Sequence, residues 1–421
     1  MSKLQKNIGI FSGIGIAVGM VVGSGLFGLP GLAIDIAGPT VSLYGWIATI
    51  FITFPMIYIF IKLGTKFPKA AGLSKYAEIS FGSWGSYGVT AVLSGTFTIG
   101  IPALAMIGGA YLAKLLGIDD SFTYIFSILF LLVATAVNLY GINMASWINT
   151  ISLIFIFLLI GLLIILHPDY LVAGKDTLMR GSQDLDYRKL WRVMALLFWA
   201  FLGWENLSFG LEEFKNPTRS IPIVYLGSFF IISIFYFLLA MLSSGATSLG
   251  VNISGISSMS ALLEESKIIG KFLIFFMVMV ILANANSWVF GASRLIYSAG
   301  KSSILPSFLG KLNERNIPAN SLVALFFFYT LFIIFIWLFK IDISKIIMIV
   351  SQNFLILYLA SIIAFAKLFK GVLDYIVLGL SGIILIFFLS GFGIALIYPI
   401  VLLTLGYIVY KKHDRADNEI S

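Results

Sequence analysis

Apolar runs of about 20 residues, the length a helix needs to cross a bilayer, can be drawn twelve times along this chain. Their limits fall near 8–36, 41–66, 84–115, 121–140, 147–166, 190–213, 221–247, 268–298, 321–340, 343–367, 373–390 and 392–410. Short amphipathic pieces lie between them at 69–82 and 255–266, and the longest polar connection runs from His167 to Lys189. Only Gly391 and Gly393 divide the last two runs. The pattern predicts an all-α integral membrane protein.

Two of the twelve runs are interrupted at mid-depth. The first reads Val21-Val22-Gly23-Ser24-Gly25-Leu26-Phe27-Gly28-Leu29-Pro30. A glycine costs about 1 kcal/mol relative to alanine inside a helix, and Gly23, Gly25 and Gly28 fall within six residues. Unwound backbone at that depth is tolerable where protein or a watery cavity surrounds it. A break also exposes helix-end amides and carbonyls, which suit a carboxylate and an ammonium group. The sixth run carries a second interruption, Leu202-Gly203-Trp204-Glu205-Asn206. Runs one and six are five apart, as an inverted five-plus-five repeat demands. Paired discontinuous helices at corresponding positions point to a transporter's central site. The repeat rests on that spacing, because the halves show no residue-level similarity.

Composition narrows the class. Sixty per cent of the 421 residues are hydrophobic and 11% are charged, against roughly 25% charged in soluble domains. No polar stretch is long enough for a separate soluble domain. The absence of cysteine excludes disulfides and thiolate metal sites. His167 and His413 are the only histidines, so no metal or cofactor site is expected. Neither a phosphate-binding loop, a serine–histidine pair nor a catalytic carboxylate pair is present, which excludes ATP-driven pumping by this chain and an enzyme. Gly13-x-Gly15-x-x-x-Gly19 has the wrong spacing and no preceding strand for a dinucleotide loop; small-residue helix packing explains it better.

Charge sets the orientation. On the side of the termini the connections carry 17 basic and 8 acidic groups, and the opposite side carries 10 of each. The lysine and arginine excess marks the terminal side as cytoplasmic. The net charge of +8 is therefore a topology signal, and nucleic-acid binding is not expected. The start, Met1 to Lys6, enters the first run with no small-residue cleavage site and reads as a cytoplasmic tail. Glu264-Glu265 and the Asp184–Asp186 cluster read as solvated outer loop.

Glu205 is the acidic side chain well inside an apolar run. Burying a carboxylate at the bilayer centre costs at least about 2.5–3.5 kcal/mol, so such a group faces a cavity or a partner. A proton carrier or gate is one reading, and a hydrogen-bonded strut between helices is the plainer one. Trp199, Trp204 and Trp288 are also interior, as gates or as core. Asn284, Asn286, Gln352 and Asn353 are amides in runs eight and ten; buried amides often only join helices, at about 0.6 kcal/mol each.

These residues resemble a family. Gly23-Ser24-Gly25-Leu26-Phe27 with Pro30, and Gly203-Trp204-Glu205 followed by Glu213-Phe214-Lys215-Asn216-Pro217-Thr218-Arg219-Ser220-Ile221-Pro222, resemble the amino acid–polyamine–organocation (APC) permeases over nearly the whole chain. Residues 197–222 and the loop 313–318 are most similar to the bacterial methionine and branched-chain amino acid exporters, with arginine–agmatine antiporters as close relatives. The resemblance implies one transport domain over 1–421 with a LeuT-type fold: a ten-helix core at 1–367, peripheral helices at 368–410 and a cytoplasmic tail at 411–421. It implies that amides of Ser24, Gly25 and Leu26 bind the substrate carboxylate. Carbonyls of Val21 and Val22, with Phe201 and Leu202, take the amino group. Trp199 covers the pocket as a gate, Trp288 floors it, and Ile101 and Leu104 contact the side chain. The position of Ile101 is polar in the antiporters and apolar here, which favours a hydrophobic substrate. Glu205 matches the antiporter gate glutamate.

Two departures bear on coupling. The lysine that some proton-coupled members carry in span five is replaced near Ile156, and the span-eight hydroxyls of a sodium site are missing near Ala283 and Asn284. Sodium coupling is disfavoured, and proton antiport through Glu205 stands as the hypothesis. The expectation is a multi-pass plasma-membrane transporter of methionine, leucine, isoleucine and valine, working by export and alternating access. Its partners are the amino-acid substrate, protons and the bilayer, with a homodimer also admitted. An importer or exchanger of the same fold, or a transport-inactive amino-acid sensor, remains the alternative.

Overall fold

The computed structural model describes residues 8–68, 72–140, 142–179, 185–209, 211, 214–263, 267–301, 305–315 and 317–420. Met1–Asn7, Lys69, Asp184, Glu213 and the Glu264-Glu265 pair lie outside them. Among the described residues the chain is helical with no strand, and one isolated bridge pairs Ile8 with Phe214.

The first apolar run forms α1 (Ile10–Val21) and the start of α2 (Ser24–Lys66). At Gly38 (φ +76°) α2 turns sharply, so two helices meet there. Glycine tolerates that conformation, and Pro39 denies Gly38 the helical region. The polar connection that follows holds α3 (Gly72–Phe81). Next come α4 (Ser83–Leu116), α5 (Thr123–Tyr140) and α6 (Ile142–Leu166). α4 ends on left-handed Gly117, and the Ile118 amide closes back on the Ala113 carbonyl at 3.0 Å.

α7 (Pro168–Met179) departs from α6 at 84°. It lies in the His167–Lys189 connection, where no helix is expected from hydropathy. Its buried residues, Tyr170, Gly174 and Thr177, recur at helical spacing but are not strongly apolar. They pack on α10 (Pro217–Ser248), which Pro217 opens from its first turn. The sixth run is divided between α8 (Tyr187–Leu197) and the short α9 (Trp204–Phe209). The remainder folds as α11 (Lys267–Lys301), α12 (Ala319–Phe339), α13 (Ile343–Leu368), α14 (Val372–Phe392) and α15 (Ile397–Ile420). The tail expected from residue 411 continues α15.

Among the described residues eight segments are long and apolar enough to cross a bilayer, or nine with the bent α6–α7 pair. Twelve runs were drawn from sequence. Segments 24–66 and 372–413 each count once in the eight, yet hold 43 and 42 residues, about 60 Å of helix apiece, or twice the hydrocarbon thickness. The first turns at Gly38 and the second at Gly393 (φ +55°).

The core is one continuous apolar cluster. α2 packs on α8 and α10, and α1 on α10 and α9; α4 packs on α5, α11 and α15. α13 touches both groups. Large apolar side chains cover the outside, among them Phe327, Leu331 and Leu338 of α12 and Ile383 and Ile386 of α14. Hydrocarbon solvates such a face, where water would not.

Candidate functional site

The α1–α2 break is two residues wide. Val22 is extended (φ −82°, ψ +122°), and its amide donates to the Val18 carbonyl at 2.7 Å. Gly23 precedes the first turn of α2, where the Leu26 amide reaches the Gly23 carbonyl at 3.1 Å. The last carbonyls of a helix and its first amides have no partner within it. The negative end of α1 therefore faces the positive end of α2 across two residues. Asn284 of α11 enters this gap: its side-chain amide donates to the Met20 carbonyl at 3.3 Å, and its side chain fills the space a Cβ on Gly23 would need. The buried Ser24 hydroxyl has no hydrogen bond among the described residues.

The second break follows α8. One 3₁₀ turn, Phe198–Phe201, leads to extended Leu202 and then to Gly203 at φ +120°. L side chains rarely adopt that φ. A Cβ at Gly203 would also stand 2.9 Å from the Met20 carbonyl oxygen. A Cβ at Gly25 would stand 3.2 Å from Ala200 Cα and 3.4 Å from Trp199 Cδ1. Contacts thus run between the breaks from both sides of each, and side chains at these glycines would prise them apart.

Buried tyrosines brace the breaks from neighbouring helices. Tyr236 donates to the Ala200 carbonyl at 2.8 Å, Tyr225 to Trp204 at 3.2 Å and Tyr111 to Phe27 at 2.9 Å. Ala200 stands in the 3₁₀ turn before the second break, where a bare carbonyl at membrane depth would cost several kcal/mol. Trp204 and Phe27 lie in α9 and α2, and there the hydroxyls tie the helices that bound the breaks to α10 and α4. Glu205, 1% exposed, stands in the first turn of α9, where a carboxylate complements the helix dipole. Its Oε2 accepts from the Gly203 amide at 3.1 Å and from the Tyr358 hydroxyl at 2.7 Å. Its Oε1 has no partner among the described residues. The side chain is at once a strut between α9 and α13 and a carboxyl with one oxygen unengaged.

Val21, Val22, Ser24, Gly25, Leu26, Trp199, Phe201, Leu202 and Glu205 all belong to the two touching breaks. Trp199 reaches α4 as well, since its Cη2 lies 3.5 Å from where Gly100 would carry a Cβ. Phe201 turns its ring to Tyr236 and Phe229 of α10. Ile101 and Leu104 are buried in α4 beside Gly100. Trp288 stands edge-on between Phe97 of α4 and Phe354 of α13, and Phe354 continues to Tyr358. Asn286, Gln352 and Asn353 join helices, bonding to Asn138, the Ala395 carbonyl and Thr96 respectively. The residues missed from sequence are the tyrosines and the placement of Asn284. A usable signal was there for two of them: Tyr236 and Tyr358 sit inside apolar runs, away from the ends where tyrosine anchors to headgroups, whereas Tyr225 lies near the start of its run.

The fold matches the crystal structure of MhsT in complex with L-phenylalanine at a TM-score of 0.65, with 14% identity, covering 96% of this chain and all of that one; the fold is LeuT-type. The chain is 26% identical to the uncharacterized amino acid permease YecA of Bacillus subtilis (strain 168), over 98% of this chain and 97% of that protein. It is 22% identical to the L-methionine/branched-chain amino acid exporter YjeH of Escherichia coli (strain K12), over the whole of both. The profile of the Amino acid permease family matches residues 8–413, nearly the full length, and the chain belongs to that family.

Proposed function

We propose that this permease is a secondary transporter of neutral apolar L-amino acids (methionine, leucine, isoleucine and valine) and that it exports them by proton antiport. The observation that carries the reading is the contact of the two breaks, Gly25 against Ala200 and Gly203 against the Met20 carbonyl. It sets helix-end amides and helix-end carbonyls side by side, the donors and acceptors that a zwitterion's two ends require, with the Leu26 amide shared with the Gly23 carbonyl. Amides of Ser24, Gly25 and Leu26 take the carboxylate; carbonyls of Val21 and Val22 with those of Phe201 and Leu202 take the ammonium. Apolar Ile101 and Leu104 meet the side chain, Trp199 closes over it and Trp288 lies beneath. The full-length likeness to an exporter of methionine and branched-chain amino acids supports the substrate class and direction.

Glu205 carries the proton. Its free oxygen and its bonds to Gly203 and Tyr358 connect protonation to the second break and to α13. Alternating access rocks α1, α2, α8, α9 and α10 against the group around α4, α5 and α11, with both termini cytoplasmic. Discrimination among aliphatic side chains is modest, since one methylene is worth about 1–3 kcal/mol. Counterflow of labelled leucine in proteoliposomes, with twenty amino acids as competitors and with or without a pH gradient, tests the reading. Competition by the four apolar substrates and acceleration by the gradient are expected; preference for charged amino acids, or no counterflow, would overturn it.

A further inference from the structure

The last turns of α2 gather cations that the described carboxylates do not balance. Lys62 and Lys66 stand one turn apart there, a spacing at which like charges destabilise a helix. Phe369, which caps the end of α13, draws both together. The Lys62 and Lys66 ammonium nitrogens lie 5.0 and 5.1 Å from its ring centroid, within cation–π reach. They are therefore within about 10 Å of each other, where like charges still repel at 0.1 M salt. Lys370 follows directly, in the turn between α13 and α14.

One carboxylate answers these three lysines. Asp374, buried in the first turn of α14, accepts from the Gly371 amide at 3.0 Å and the Tyr58 hydroxyl at 2.9 Å, and pairs with Lys62 at 3.2 Å. Those contacts fasten α2 to α14. Nearby charges are engaged elsewhere: Lys367 donates to the Ile79 and Ser80 carbonyls at the end of α3, and Glu78 pairs with Lys75. Lys66 and Lys370 are exposed and make no ion pair among the described residues. Lys370 donates only to the Ala366 carbonyl, at 2.6 Å. Two positive charges are left over.

Below them the surface is apolar. Phe51 lies on the face of α2 that carries Tyr58 and Lys62, about three turns deeper, and is 73% exposed. α14 presents Leu373, Ile376 and Leu380 on its outside. The surplus charge thus sits where headgroups give way to hydrocarbon, and basic clusters between helices at that level hold anionic headgroups. We propose that the seam of α2 and α14 is a binding site for an anionic phospholipid. Its phosphate lies between Lys66 and Lys370, beside Phe369, and its acyl chains run over Phe51 and the outer face of α14. A zwitterionic phospholipid would bring a further cation to a place that already has two too many, and a soluble anion brings no chains for the apolar face. Neither the charge balance nor the seam depends on what the breaks carry.

The cysteine-free chain makes the test direct. Phe51→Cys takes a single bimane fluorophore in the full-length protein, reconstituted in vesicles of phosphatidylglycerol and phosphatidylcholine in equal parts. Brominated chains on one lipid or the other quench the label and report which lipid touches it. A lysine near the membrane surface favours anionic lipid by about fivefold, so a preference for phosphatidylglycerol of about 25-fold is expected. Lys66→Gln combined with Lys370→Gln should bring the preference near unity, and Lys66→Arg should retain it. Lys411→Gln with Lys412→Gln, on α15, should change it by less than about twofold. Equal quenching by the two lipids, or a preference that survives the Lys66 and Lys370 double variant, overturns the site. So does a preference that falls as far with the Lys411 and Lys412 variant, which would leave only a diffuse surface charge. Inorganic phosphate that removes the preference at an ionic strength where chloride does not would also overturn it, in favour of a soluble-anion site.

Discussion

Glu205 joins two roles that pull in different directions, and a conservative change separates them. Glu205→Gln keeps an oxygen to accept from Tyr358 and Gly203 but cannot carry a proton. It is expected to remove the effect of a pH gradient on transport, a loss of about 10²-fold, while leucine affinity changes by less than about threefold. Retained gradient dependence would leave only the strut. Tyr358→Phe tests the strut itself. A buried hydrogen bond to a charged group is worth about 1.5–3 kcal/mol, so thermal unfolding in detergent should shift down accordingly while Phe198 and Phe60 still pack on the ring. An unchanged unfolding temperature would mean that the bond contributes nothing to the fold. Glu205 itself was legible in the sequence, because a lone carboxylate in an apolar run demands a partner. Tyr358 was not, since its relation to Glu205 spans 153 positions and depends on tertiary packing.

The elements that matter are the two interruptions, and their glycines act in different ways. At Gly203 the backbone is left-handed and the Met20 carbonyl lies against the missing Cβ. Gly203→Ala should therefore cost about 1–3 kcal/mol, read as a lower unfolding temperature even without substrate. Gly25 is helical and lacks such strain; replacing it with leucine pushes against Ala200 and Trp199. The expected outcome for Gly25→Leu is loss of leucine binding together with an overpacking cost of about 1–3 kcal/mol in unfolding, and full affinity in that variant would remove the carboxylate site from α2. Where the chain breaks was readable from clustered glycines. What occupies the gap was not: Asn284 looked like one weak amide among four, and only the packing of α11 carries it to Met20 and Gly23. α7 escaped notice because its buried face is built from Tyr170, Gly174 and Thr177, which hydropathy does not score as a core.

At the scale of the whole molecule the account requires that the polar end at 251–261 and the end of α15 lie on opposite sides of the bilayer. In right-side-out vesicles, a thiol at Asn252 should react with an impermeant reagent, and one at Lys412 should react only after permeabilisation. Equal reaction of both would break the twelve-crossing topology. The class of fold was open to a sequence reading because hydropathy and broken runs are local properties; the closeness of the two breaks, 175 positions apart at Gly25 and Ala200, is a property of packing alone. The central claim is that paired helix ends grip both ends of a zwitterion. The most direct measurement is equilibrium binding of L-leucine to the purified chain beside L-leucinamide, which lacks the carboxylate, and 4-methylpentanoate, which lacks the ammonium. Losing a charge-assisted set of hydrogen bonds at either end should weaken binding by about 100-fold or more, against about tenfold for shortening the side chain by one methylene. Binding of leucinamide or 4-methylpentanoate as tight as that of leucine would contradict the account.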